Sequence, residues 1–228
     1  KSLYALKKND RWYLHNPISQ SSLELSEEIQ LVKGFEEDMI SVMIDDQWGY
    51  IEESGQLRIA NRYDSVQHFS EGLSAIKLIG KWGFIDRQEK LIIQPTYDEV
   101  QPFYGRLTTV KVNSHFGLIN TSGKTVLDIK YDKIKRYKDY ILLYSNDLVG
   151  LAGKDGKVLR TPQYSSIKQI KRSLFLVNKG DKYGVISNTG LDIVPLAYDE
   201  VILLENKFLV KETAPSNKTK LNLNQLKR

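Results

Sequence analysis

The sequence predicts an all-β protein of tandem repeats about 34 residues long, and three observations carry that prediction. An aromatic–glycine step, a Tyr-Asp step and a turn glycine recur in phase. Short apolar runs of β-favouring residues lie between turn signals. Helical periodicity is weak from one end to the other.

The first marker reads Trp48-Gly49, Trp82-Gly83, Phe116-Gly117 and Tyr183-Gly184, with Val149-Gly150 in degenerate form. The intervals are 34, 34, 33 and 34 residues. The second lies fifteen residues downstream: Tyr63-Asp64, Tyr97-Asp98, Tyr131-Asp132, Tyr164-Ser165 and Tyr198-Asp199. The third lies seven residues after the aromatic, at Gly55, Gly123, Gly156 and Gly190, with Glu89 as the exception. An apolar residue follows each Tyr-Asp, at Val66, Val100, Ile134, Ile167 and Val201.

One unit, from Lys81, illustrates the physics. Trp82 to Asp86 is a strand, Arg87 to Lys90 a turn, and Leu91-Ile92-Ile93 the return strand, halted by Pro95. In the sister units a glycine late in that turn supplies positive φ. Tyr97-Asp98 forms a corner: the ring is buried and the carboxylate accepts backbone amides. Val100 and Phe103 open a second hairpin, turned at Gly105 and returning through Leu107 to Val112. Each unit thus offers three or four short strands. The glycine after each aromatic implies close approach of another backbone, expected at the junction between units.

The array extends to both ends. Leu3 to Trp12 matches Leu73 to Trp82, so Trp12 opens an atypical first unit whose interval to Trp48 is 36 residues. Ser22 to Val32 is the best helical candidate, but its spacing is imperfect and it is read as strand-bearing. Phe208-Leu209-Val210 begins a last, incomplete unit. The repeat domain therefore spans residues 1–210 with about six units, and 211–228 is a polar tail. Stacked units form a curved solenoid or superhelix; the alternative is a small propeller-like closed ring.

These residues resemble the WG (KWG) repeat family. Lys81-Trp82-Gly83-Phe84-Ile85-Asp86, Tyr63-Asp64-Ser65-Val66 with Phe69-Ser70-Glu71-Gly72-Leu73, and Pro95-Thr96-Tyr97-Asp98-Glu99-Val100 carry the resemblance. It extends over about 3–210 and fades at Val149. It implies a bacterial β-repeat protein, often of the cell envelope. It implies no catalytic residue and no ligand.

Composition narrows the chemistry. The absence of cysteine removes disulfides, thiolate metal sites and cysteine nucleophiles. No apolar run reaches the ~18 residues of a membrane helix. The chain begins at Lys1, which suits a processed protein or a fragment of a longer one. Net charge is +5, split as 13 Lys+Arg against 17 Asp+Glu in residues 1–114 and 20 against 11 in residues 115–228. The split reads first as ordinary drift of solvated faces, and second as a positive surface that suits an acidic partner.

No motif for catalysis emerges. His15, His68 and His115 lack metal-ligand spacing. Ser122-Gly123-Lys124-Thr125 resembles the end of a phosphate loop, but Leu118 stands where the loop needs its first glycine. The row Asp64, Asp98, Asp132 and Asp199 reads as structural caps rather than a cation site. Lys130, Lys133, Lys135, Arg136 and Lys138 interleave with Tyr131, Tyr137 and Tyr140. Nucleic acid is disfavoured there, because Tyr131 and Tyr137 fall at repeat core positions. The expected function is a non-catalytic, cofactor-free protein–protein interaction scaffold, exported to the periplasm, outer membrane or cell surface. A carbohydrate or cell-wall module using Tyr104 and Tyr140 is the alternative, and an enzyme with a concave-face site comes third. The candidate surface is Lys133, Lys135, Arg136, Lys138, Tyr140 and Tyr104, on the reasoning that a site lies in residues that break the repeat.

Overall fold

A computed structural model describes residues 3–205, 207–212 and 220–222. Among them every element is a strand or a bridge, and none is a helix. The strands are short because the apolar runs end either at turns with positive-φ residues, such as Asp45-Asp46 and Asn113-Ser114, or at the Tyr-Asp corners. Pairing is antiparallel, in successive sheets of three or four strands. The chain divides into two compact units, Lys1–Thr125 and Val126–Arg228.

In the first unit, β1 (Tyr4–Lys8), β2 (Arg11–Asn16) and β3 (Ser21–Glu24) form the opening sheet. Next come β4 (Leu31–Glu36), β5 (Met39–Ile44), β6 (Gln47–Glu52) and β7 (Leu57–Tyr63), then β8 (Ser65–Val66), β9 (Leu73–Leu78), β10 (Lys81–Asp86) and β11 (Leu91–Tyr97). β12 (Glu99–Val100), β13 (Leu107–Val112) and β14 (His115–Asn120) follow, and β15 (Thr125–Tyr131) comes next along the chain. The segment 22–32 holds the rest of β3, a connection at 25–30 and the start of β4, with no helix, in line with its imperfect helical spacing.

The second unit holds β16 (Lys133–Arg136), β17 (Tyr140–Ser145), β18 (Leu148–Gly153) and β19 (Val158–Tyr164), then β20 (Ser166–Lys171), β21 (Leu174–Lys179), β22 (Lys182–Ser187) and β23 (Asp192–Tyr198). β24 (Glu200–Leu203), β25 (Lys207–Lys211) and β26 (Lys220–Asn222) form its last sheet. Of the segment 211–228, Lys211 ends β25 and 220–222 pair with it, while 213–219 and 223–228 lie outside the described residues.

The sheets are offset from the sequence repeat. A sheet starts just after one Tyr-Asp and ends on the tyrosine of the next, with the aromatic–glycine strand third. The fifteen-residue spacing has a direct cause: Trp48 sits opposite Tyr63, Trp82 opposite Tyr97, Val149 opposite Tyr164 and Tyr183 opposite Tyr198. Immediately after each pair the return strand bulges.

That bulge explains the invariant glycine and corrects the expectation of a contact between units. A Cβ on Gly83 would stand 2.5 Å from the Ile93 carbonyl oxygen and 2.7 Å from the Pro95 nitrogen. On Gly49 it would stand 2.6 Å from the Ile59 oxygen, and on Gly150 2.6 Å from the Arg160 oxygen. The close approach is to the neighbouring strand of the same sheet.

Successive sheets bury a shared core. Leu14, Leu25 and Ile29 pack with Ile40, Val42 and Ile51. Trp48, Tyr50, Ile59 and Tyr63 pack with Val66, Phe69, Ile76 and Ile85. In the second unit Leu142, Val149, Leu151 and Tyr164 meet Phe175, Val177 and Ile186, and Val185 and Val194 meet Phe208 and Val210.

Candidate interaction surface

The residues that make the repeat are held in the architecture. Trp48, Tyr63, Tyr131 and Tyr164 are buried, and Trp12 donates its indole N–H to the Gln30 carbonyl at 3.2 Å. The Tyr-Asp carboxylates cap the turn that precedes the aromatic. Asp64 Oδ2 accepts the Gly80 amide at 3.1 Å, Asp98 Oδ2 that of Asn113 at 2.8 Å, and Asp132 Oδ2 that of Asn146 at 2.7 Å. Lys81 also pairs with Asp98, and Lys182 with Asp199 at 2.6 Å. The Lys81 ammonium, then the Asn113 amide, hold the Asp98 carboxyl below its usual range. The turn glycines adopt φ of +80 to +86°, and Glu89 keeps positive φ at +63°.

These capping turns were not singled out in the sequence, although their composition announces them. Asn113-Ser114 and Asn146-Asp147 carry positive φ at both residues, the two-residue geometry that Asn and Asp tolerate. Buried Tyr50 was likewise missed: its hydroxyl donates to the Gln67 carbonyl at 2.8 Å, beside Ser74 Oγ. Burial pushes its pKa far above the phenolic range.

The break in the repeat lies at Tyr137. Six residues after the Tyr-Asp tyrosine, Phe69 and Phe103 are each only 2% exposed. Phe69 meets Tyr50 edge-on at 5.0 Å, and Phe103 meets Phe84 at 4.8 Å. The third member of that series, Tyr137, is 45% exposed, which corrects its assignment to the core. The hairpin turn causes the change. Ser70 N bonds Leu73 O and Tyr104 N bonds Leu107 O, whereas Tyr137 N bonds Tyr140 O, one position earlier. β16 pairs with β17 without a bulge, from Lys133 opposite Tyr144 to Arg136 opposite Ile141. In β4 and β20, by contrast, the ladder shifts register by one extra residue, at Gly34 and at Ile170. The missing residue is the one by which the interval between Phe116 and Val149 is 33 rather than 34. The last hairpin is also unbulged, and Leu204 at the same position is 49% exposed.

Tyr137 is not loose. Its ring stacks on Tyr140 at 4.6 Å and 13°, and Tyr140 meets buried Phe175 edge-on at 4.9 Å. Burial, then the neighbouring Tyr137 and Tyr144 hydroxyls, raise the Tyr140 pKa. Tyr140 is thus half-buried, not a free ligand platform.

Beside this stack lies an open groove of about 500 Å³ lined by Lys138, Asp139, Gln169, Ile170, Lys171 and Arg172. Gln169 Nε2 donates to Arg172 O at 3.1 Å, and Lys171 Nζ donates to Glu205 O at 2.6 Å. Ile170 packs on the core below. Among the described residues no ion pair engages Lys138, Lys171 or Arg172.

The other candidates fall elsewhere. Lys133, Lys135 and Arg136 lie along β16; Lys133 and Lys135 are exposed, and Lys135 sits 5.8 Å from the Tyr144 ring centre. Tyr104, 68% exposed, belongs to the first unit, whereas the basic cluster belongs to the second. Among the described residues no three His, Asp or Glu side chains gather as metal ligands, and no helix is long and apolar enough to cross a membrane.

Comparison with known proteins adds a family. No curated protein matches the chain. Among solved structures it is similar to one titled as a eukaryotic initiation factor (12% identity, 91% of this chain, 67% of the other, TM-score 0.48). It is similar to Hsv2p of Kluyveromyces lactis (11%, 82%, 71%, TM-score 0.45). A third is PorZ of Porphyromonas gingivalis, titled as a surface component of the type-IX secretion system (9%, 89%, 34%, TM-score 0.39). The model of the WG containing repeat matches residues 48–82, 82–114, 116–140 and 150–183, more than half of the 228 residues. With Trp or its substitute opposite the Tyr of Tyr-Asp in sheet after sheet, the chain belongs to the family of WG containing repeat proteins.

Proposed function

We propose that this chain is a non-catalytic protein–protein interaction module, a scaffold or accessory subunit of a bacterial cell-envelope or secretion assembly. One observation carries the interaction reading. The repeat-making residues are spent on core and turn contacts, while the hairpin in the repeat's single short interval presents an anchored tyrosine beside Lys138, Lys171 and Arg172, which no ion pair among the described residues engages. Tyrosine and arginine are among the residues enriched at protein-binding surfaces, and a pre-stacked tyrosine beside Arg172 fits that pattern. The envelope placement follows from the family resemblance.

A native pull-down with the tagged chain, followed by cross-linking of the eluate, tests this. A stoichiometric protein partner cross-linked to the chain supports it. Retention of peptidoglycan or oligosaccharide with no protein partner sinks it in favour of the carbohydrate reading, which exposed Tyr104 favours. Export is checked by fractionating cells of the source organism, with the chain expected outside the cytoplasm.

A further inference from the structure

We infer that the groove between residues 137–139 and 169–172 receives an acidic, extended segment of a partner protein, with one aromatic or apolar side chain laid on Tyr137. The inference deepens the interaction reading and rests on it.

The argument begins with charge. Lys138, Lys171 and Arg172 face a groove whose one carboxylate is Asp139, and no described carboxylate pairs with them. Three cations held by hairpin loops attract a chain carrying several carboxylates, and the unit around them is the positive part of the protein. Asp139 weakens the pull on any anion, and it can accept an amide N–H from an extended peptide backbone. Gln169 adds an amide able both to donate and to accept.

The second element is Tyr137. A tyrosine 45% exposed but stacked on Tyr140, itself locked against Phe175, loses little conformational freedom on contact. It immediately precedes Lys138, so an apolar contact and the cationic groove are joined in one hairpin. In the sister hairpins of the first unit the equivalent Phe69 and Phe103 are buried. Among the described residues of this series, the outward positions are Tyr137 and Leu204, both in hairpins that close one position early, and of these Tyr137 is the aromatic one.

The test measures fluorescence anisotropy of the full chain with a labelled twelve-residue peptide of alternating Glu and Asp carrying one central Tyr. Probes for comparison are the same peptide with Lys for each acid, a single-stranded oligonucleotide and heparin. The acidic peptide should bind, and affinity should fall at least about tenfold in Lys138→Glu/Arg172→Glu and about fivefold in Tyr137→Ser. Inserting one glycine after Asp139, which restores the 34-residue interval, should also abolish binding by returning Tyr137 to the core. Circular dichroism verifies that each variant folds. No binding of the acidic peptide, unchanged binding in folded Lys138→Glu/Arg172→Glu, or tighter binding of oligonucleotide or heparin overturns the proposal. So does sedimentation showing that the groove is filled by a second copy of the chain. A pulled-down partner whose retention ignores the charge reversal leaves the interaction reading standing and removes only this groove.

Discussion

Two glycines of this chain are required for different reasons, and substitution separates them. Gly83 lacks room: its Cβ would press into the backbone of Ile93 and Pro95, which belong to a bulge and cannot retreat without breaking the sheet. Gly83→Ala should cost about 3 kcal/mol, the upper range for overpacking, as read from urea unfolding. Gly72 has open space but φ of +79°, so Gly72→Ala should cost only about 1 kcal/mol by the same measurement. Asp98 offers a pH test. Its folded pKa lies below the ordinary value, so the stability it adds is complete above about pH 5 and drains away as pH falls through the depressed value. Asp98→Asn should therefore be less stable than the native chain at pH 7, and the two thermal midpoints should converge as pH falls through the depressed value. A gap that persists in acid would show that Asp98 acts through packing instead.

Between sheets, the connecting device is a side chain reaching to the next hairpin. Glu71 accepts the Gly105 and Arg106 amides, both at 2.8 Å, and Glu37, at the same place one sheet earlier, accepts the Gly72 amide at 3.0 Å. Ser70 and Gln67 donate to the Phe103 and Val100 carbonyls of that neighbour. Glu71→Ala should lower stability by about 1–3 kcal/mol, since it strips a charged acceptor from two amides. Hydrogen exchange at Arg106 should accelerate, while exchange in β5 stays unchanged. This element was legible only in part. The family-like run Phe69 to Leu73 is visible in the sequence, yet its purpose is not, because Glu71 serves amides 34 and 35 residues away. The Tyr137 hairpin was half legible in the same way. The short interval is countable, but whether the lost residue shortens a turn or a strand depends on where the hydrogen-bond register closes.

Within the first compact unit, stability should rise from its end inward. Every residue of β1 and β3 is exposed, while β5 and β6 each carry a run of four buried residues. Repeat arrays draw stability from packed neighbours, and β1 and β3 bury no side chain against theirs. Native-state hydrogen exchange should therefore release β1 and β3 first and β5, β6, β9 and β10 last. Uniform protection across the unit would contradict nearest-neighbour stabilisation.

The repeat, its strand content, its corners and its turn glycines were written in composition and spacing. Each depends on local backbone preference, and an interval recurring in phase reports that preference several times over. The family followed from the same residues. Three features needed long-range geometry. The sheet boundaries fall at Tyr-Asp, because Trp and Tyr fifteen residues apart meet across one ladder. The glycine faces a bulge of its own sheet, which no spacing reveals. Tyr137 faces solvent, because an unbulged hairpin leaves its ring on the outer side and sets it beside three cations from two different loops. The sequence placed the repeat's irregularity between Phe116 and Val149; only the folded register turned that irregularity into a surface.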